Sequence, residues 1–461
     1  MKLNYVLVSL VCAGWLLVAG VSVLAGEIDS ALYSQFDKLI AAAEAARLFE
    51  SSDSGTLAWG ESYVLSSYVK AYEATGDTKW FDRLTEHVDV MFRNLTRNQE
   101  GRLGWRTAFY SVGIARATAS KDNRGDAKIT PPEQRIYDVE IAPKMTSDRY
   151  KITFDDSEKF TVKNETQKSV IAKLDYKSGA PTDVIPGIRF AITGTPAKND
   201  SFIIQTFKQK PFDYIVHDGM ILTPVAQFIE IVYNNKALHE KYRAKATHYL
   251  KLMETELIPK WDKYWRDLSS TKGVYVFQND ESQSMPGGSL PHNQYLALGR
   301  TMLALYRITK KPFYKEKALK MGNQFKSNLQ RIDNYYQWHY WDPASKWDEQ
   351  WRRSIGVEDT SHGTIDIAFA IDAYHTGVVF SKYDMRRFAN TFLEVMWNKS
   401  TDEPRIGTVI NTPKGDSSTI DDWMLLAEFK PQVKSIAEKI LKRRPDALGI
   451  AQLLYLQKKR Y

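Results

Sequence analysis

Apolar and polar positions along most of this chain recur with the period of an α-helix, and they do so in pairs. A mainly apolar helix is followed by a short turn and then by a helix that is apolar on one side and charged on the other. The first pair spans 57–75 and 78–95, joined by Gly76-Asp77. Further pairs are predicted at 220–233 with 238–257, 295–308 with 313–329, and 362–380 with 384–397. A weaker pair, 421–429 with 433–443, is followed by a helix over 445–457, and an opening helix over 30–49 precedes them all. Inner apolar helices alternating with outer amphipathic ones are what an α/α toroid requires, because its inner ring is buried on both sides. The unequal repeat lengths argue against a regular solenoid. The expected fold is therefore mainly α, an incomplete or closed (α/α) toroid of six or seven hairpins. One stretch departs from the pattern. From about 135 to 207 the segments RIYDVEIA, RYKITF, KFTVKN, KSVIAKLDY, GIRFAIT and SFIIQTF alternate like strands between Pro, Gly, Asn and Asp turns, which predicts a small antiparallel β insertion bounded at about 131–211.

The N-terminus changes the setting. Lys2, the apolar run 6–19 and the small residues before Gly26 have the three regions of a secretory signal peptide, expected over 1–25 and leaving a mature body of 26–461. The run is short for a membrane span, and nothing later in the chain reads as apolar enough to cross a bilayer. Cys12, the only cysteine, falls inside this segment, so the mature chain has no thiol for a disulfide, a nucleophile or a metal ligand. A periplasmic or secreted protein is expected. Its 63 Lys and Arg against 55 Asp and Glu give a net charge of +8, and +7 without Lys2. That excess favours an acidic partner, yet no long basic run is present, which disfavours nucleic acid. Twelve Trp, 25 Tyr and 20 Phe supply both a large core and platforms for stacking on sugars.

Candidate chemistry gathers at the starts of the inner helices. The stretch 357–374, VEDTSHGTIDIAFAIDAY, is apolar on nearly every side from Ile365 onward, but its first turn carries Glu358, Asp359, Thr360, Ser361 and His362. Helix capping accounts for one or two of these residues and not for all five. The other starts are Trp59-Gly60-Glu61-Ser62-Tyr63, His217-Asp218-Gly219, His292-Asn293-Gln294-Tyr295 and Asp421-Asp422-Trp423. In a toroid these N-termini share one rim, whereas His87, His239 and His248 fall on outer helices, where an exposed face is expected. The stretch Tyr335-Tyr336-Gln337-Trp338-His339-Tyr340-Trp341-Asp342-Pro343, followed by Trp347, Trp351, Arg352 and Arg353, lies outside helical periodicity and suits sugar stacking and bidentate binding of a carboxylate. Trp105 offers a further aromatic face near the rim. No P-loop, dinucleotide fingerprint, HExxH, EF-hand or GxSxG pattern occurs. The helical spacing of His217, Asp218, His292, Glu358, Asp359 and His362 is a weak metal signal, and neither a metal nor another cofactor is expected.

The segments LAWGESYVLSSYVKAYEATGD, PHNQYLALGR, WHYWDP and EDTSHG together resemble the exported α/α-toroid polysaccharide lyases, the group of alginate, glucuronan and related uronan lyases. The Asn-His-Ser-type motif of some members is absent. The resemblance implies β-elimination on a uronic-acid-containing polysaccharide or oligosaccharide. Fixed donors would meet the charge that grows at the carboxylate, with a base near H5 and an acid near the departing O4. Asn293 and Arg353, with a protonated Glu358, would take the carboxylate. His292, His339 or His362 would be the base, and Tyr295 or Tyr340 the acid. Trp59, Glu61, Trp105, Trp338, Trp341, Arg352 and Asp359 would line subsites. Two other readings stand beside it: an inverting glycoside hydrolase with paired carboxyls among Glu61, Asp218, Glu358 and Asp359, and a non-catalytic glycan-binding protein.

Overall fold

Helices that are apolar all round need neighbours on every side, and this requirement orders the chain. The computed structural model describes residues 29–98, 100–138 and 140–460, so the expected signal peptide lies outside the described residues. Its α-helices are α1 (Ser30–Ala45), α2 (Ser54–Thr56), α3 (Ser62–Thr75), α4 (Lys79–Arg93), α5 (Ile215–Asn234), α6 (His239–Leu252), α7 (His292–Thr309), α8 (Pro312–Asn328), α9 (Thr360–His375), α10 (Lys382–Asn390), α11 (Asp421–Met424), α12 (Gln432–Arg443) and α13 (Ala447–Lys459). Packing runs from α3 to α5, α5 to α7, α7 to α9, α9 to α11, α11 to α13 and from α13 back to α3. These are the helices with apolar residues on most faces. Their amphipathic partners lie against them from outside: α4 on α3, α6 on α5, α8 on α7, α10 on α9 and α12 on α13.

The outer layer is also tied to itself by buried hydroxyls. Tyr242 of α6 donates to Asp82 Oδ1 of α4 at 2.8 Å, and two turns later Tyr249 donates to Asp89 Oδ1 at 2.5 Å. Caps set the helix starts. Asp359 Oδ1 accepts from the backbone N–H of Ser361 and His362, Asp446 from that of Gly449, and Ser381 with Asp384 forms a reciprocal capping box on α10.

Three sequence expectations shift. Helix α5 begins at Ile215 rather than 220, which places His217 and Asp218 inside its first turn, buried. The same helix is long and apolar enough to cross a membrane, contrary to the expectation that none beyond the N-terminal run would be. However, 78% of its apolar window is buried within the fold, as a core helix requires. The first strand of the main sheet begins at Gly113, ahead of the expected start near 131. The main sheet runs in the order Glu133–Ile136, Gly113–Ala119, Ser201–Phe207, Arg149–Phe154, Lys159–Asn164, Ser169–Asp175, all antiparallel. The strand GIARATA was missed because its small residues carry a weak alternation signal. A separate core of Ile152, Phe154, Val162, Phe202 and Ile204 fills this unit.

The buried Asp200 closes a loop of the β unit, accepting from the backbone N–H of Arg124 at 2.7 Å and of Gly125 and Ala197 at 2.9 Å. Replacement by Ala leaves three donors without their charged acceptor. Asp200→Ala is expected to cost about 3 kcal/mol, read by calorimetry as an earlier melting of the β-rich unit.

Candidate functional site

Two of the helix starts, at His292 and at Glu358, meet the aromatic stretch around Trp338. The His292 tautomer that gives Nε2–H to Asp342 Oδ2 at 3.1 Å accepts the Tyr295 hydroxyl at Nδ1, 2.6 Å away. His339 shares the same carboxyl group, with Nδ1 2.9 Å from Asp342 Oδ1. Burial works against the Asp342 charge, but hydrogen bonds from His292 and His339 outweigh it and hold the group below its usual range. The Tyr340 ring lies 5.1 Å from that of His362, and the Glu358 N–H donates to the Trp338 carbonyl. Asp359 Oδ2 stands 2.5 Å from His362 Nδ1.

What they form is packed and largely closed. His292, Asn293, Tyr295 and Glu358 are buried, while His339, Tyr340, Asp342, Asp359 and His362 remain partly exposed. The aromatic platforms expected for sugars are pillars of the core. Trp105 donates Nε1–H to the Met91 carbonyl, Trp338 to Asp366 Oδ2 and Trp341 to the Ser289 carbonyl, and each is 1% exposed. An indole buried with its N–H satisfied has no free face to offer a ligand. Glu61 is buried against His87 at 2.7 Å, so His87 points inward and not to an exposed face. Trp59 is half-buried, edge-on to His217. Arg352 is exposed and already paired with Glu349 at 2.6 and 2.7 Å, and Arg353 is exposed beside it.

Trp347 and Trp351 do line an open cleft with Arg135, Tyr137 and Met285, while a more enclosed space lies elsewhere. A cavity of about 550 Å³ runs along the inner helices, from Tyr63, Asp422 and Leu448 at the starts of α3, α11 and α13 to Glu73, Asn234, Arg307 and His375 near the ends of α3, α5, α7 and α9. That volume is in the range of small-molecule sites. Arg300 of α7 bridges two other ring helices, with Nε 2.9 Å from Asp372 Oδ2 and Nη1 3.4 Å from Asp422 Oδ2. Gln452 donates to Asp422 Oδ1 at 2.8 Å. Two turns on, Arg307 holds Glu230 in a two-bond fork at 2.7 and 2.9 Å and donates to Thr376 Oγ1. Lys70 pairs with Glu73 at 2.7 Å and lies 4.4 Å from the centre of the Tyr455 ring. His375 Nε2 is 2.9 Å from Glu428 Oε2. Burial pushes the Asp422 carboxyl above its usual range, against the pull of Arg300.

Five carboxyl groups (Glu73, Glu230, Asp372, Asp422, Glu428) face three permanent cations (Lys70, Arg300, Arg307) around this cavity. The C-terminal ends of helices add partial negative charge. The cavity is thus an acidic one, walled by ion pairs, in a protein of basic overall charge. Sequence reasoning singled out Tyr63 and Asp422 at helix starts but passed over the rest of this lining, because it looked no further along the helices. The available signal was a pair of charged residues in each of four otherwise mostly apolar or neutral inner helices, among them Lys70, Glu230, Arg300 and Asp372, each with a partner of opposite sign on its own or another inner helix.

No family model matches the chain, and no curated protein matches it. Comparison with solved structures returns flagellar proteins. FlgL of Xanthomonas campestris is matched at a TM-score of 0.17 and 13% identity over 42% of this chain and 78% of that one. The flagellar junction protein FlgL of Legionella pneumophila is matched at 0.16 and 13% over 41% and 75%. Scores this low carry no argument about fold or role. The resemblance to uronan lyases is corrected: no family model or curated relative supports it, and Trp105, Trp338, Trp341, His292, Tyr295 and Glu358, to which it gave sugar-facing roles, are buried in the core. With it go lyase activity, the assignment as an enzyme, the hydrolase and glycan-binding alternatives, and the acidic polysaccharide or oligosaccharide as partner.

Proposed function

We propose that this chain is a non-catalytic binding protein whose ligand is a small organic cation held in the acidic cavity between the inner helices. In this reading the helical pairs form a closed α/α toroid, the cavity is its bore, and the β-rich unit is an insertion in the helical body. In this reading residues 1–25 act as a signal peptide and the protein works in the periplasm or outside the cell. The observation that carries the proposal is the excess of carboxyl groups over cations around a cavity of ligand size. Charges fixed in opposed pairs, such as Arg300 between Asp372 and Asp422, supply a rigid wall without an unpaired group poised to react. An ammonium group is accepted there at low desolvation cost because the acceptors are preformed.

The test is a thermal-shift and calorimetric screen of the whole chain. Polyamines, quaternary ammonium compounds and basic amino acids are compared with sugar acids of the same size. Cations are expected to raise the melting temperature. Asp372→Asn, which leaves Arg300 its bond to Asp422, is expected to weaken the best binder about tenfold, or about 1.4 kcal/mol. Preference for the acids, or an unchanged affinity in the variant, rejects the proposal.

A further inference from the structure

A second group of side chains has the form of a metal site and lies away from the cavity. At the start of α9, Glu358, Asp359 and His362 each offer one ligand atom, and these atoms all lie within 4.8 Å of one another. Helix geometry explains part of this, since residues three or four apart share a face. It does not explain the burial of Glu358, which is 0% exposed. Its Oε1 accepts the Asp359 N–H at 3.0 Å, but its Oε2 has no hydrogen-bond partner. Behind it Asp366, also 0% exposed, accepts Trp338 Nε1–H at Oδ2 and leaves Oδ1 without a donor. A buried carboxylate oxygen with no donor costs several kcal/mol, about what losing a charged hydrogen bond costs or more. Two such oxygens side by side need either a shared proton or a cation.

Helix capping occupies only part of Asp359. Its Oδ1 takes the Ser361 and His362 N–H groups, and its Oδ2 faces the His362 ring. The half-exposed imidazole gives an ion a way in from solvent, past the Tyr340 ring. From this we infer that Glu358, Asp359 and His362 bind a divalent metal ion, with Asp366 adding charge from behind. Two carboxylates and one imidazole suit zinc and ions of similar character better than calcium, which takes oxygen ligands only. The three protein ligands leave a fourth position for water.

Opposing the cation is the positive end of α9, but its first N–H groups are already turned onto Asp359 Oδ1. The experiment uses the full chain, stripped with a chelator, exchanged into chelator-free buffer and titrated with Zn2+ by calorimetry, with Co2+ as a spectroscopic probe. One equivalent of Zn2+ is expected to bind. Co2+ is expected to show the intense visible absorption of a four-coordinate site. His362→Ala and Glu358→Gln are each expected to weaken Zn2+ binding at least tenfold. His362 is partly exposed, so its variant keeps the test decisive should Glu358→Gln misfold. Absence of stoichiometric binding, or wild-type affinity in His362→Ala, overturns the inference and leaves a shared proton between Glu358 and Asp366.

Discussion

Gly219→Ala should destabilise this protein by about 3 kcal/mol or more, the upper end of what overpacking a core costs. A Cβ at this position would lie 2.4 Å from the carbonyl carbon of Ala297 and 2.4 Å from the nitrogen of Leu298, and 2.7 Å from the Ala297 Cβ. Two of those atoms are backbone, so no side-chain rotamer can relieve the clash, and α5 and α7 must move apart. Their separation would also break the bonds that cross the contact: Thr223 Oγ1 lies 2.9 Å from Thr301 Oγ1, and Thr301 also reaches the Gly219 carbonyl at 3.3 Å. The control is Gly356→Ala, where a Cβ meets nothing within 4 Å and φ is not positive. That change is expected to be neutral or slightly stabilising through the unfolded chain. Calorimetric melting of both variants checks the pair. Equal melting temperatures would mean that the two helices are not in backbone contact.

The same contact shows what the sequence could and could not tell. That 220–233 and 295–308 are buried helices follows from their all-round apolar character, and both helices exist with starts a few residues earlier. The earlier starts matter, because they turn His217 and His292 from rim residues into first-turn residues facing inward. Polar residues before an apolar run look like a cap or a site. Only the fold shows that Ser54, distant in sequence, waits for His217, and Asp342 for His292. The aromatic stretch around Trp338 misled for a related reason. Its lack of helical period is real, but strand Tyr335–Gln337 pairs with Gln330–Ile332 and delivers the indoles into the core between helices, where periodicity in sequence has no bearing. Conversely Arg300 and Asp372 look unremarkable in the sequence. Their importance lies in being charged on the one face of each helix that borders open space.

Acid should weaken the folded state from pH 6.5 downward, and His217 should account for a large part of the loss. Its ring is 1% exposed, with Nδ1 2.8 Å from Ser54 Oγ and the rings of Trp59, Tyr110 and Tyr214 around it. Burial pushes its pKa down to about 3 from an ordinary 6.5, and the nearby Asp53 charge does not compensate. Between those values the unfolded chain binds a proton at this site and the folded chain does not. Stability therefore rises with pH across the window: it is fully present above pH 6.5 and is lost progressively as pH falls toward 3. At pH 5 the loss from this one group is about 2 kcal/mol. His217→Asn keeps an acceptor for the Ser54 hydroxyl and cannot titrate. Urea unfolding at pH 7 and pH 5 is expected to show the wild type losing roughly 2 kcal/mol more than the variant over that step. A variant as acid-sensitive as the wild type would assign the effect to the carboxyl groups instead, and would mean that the imidazole is reached by water in the folded state.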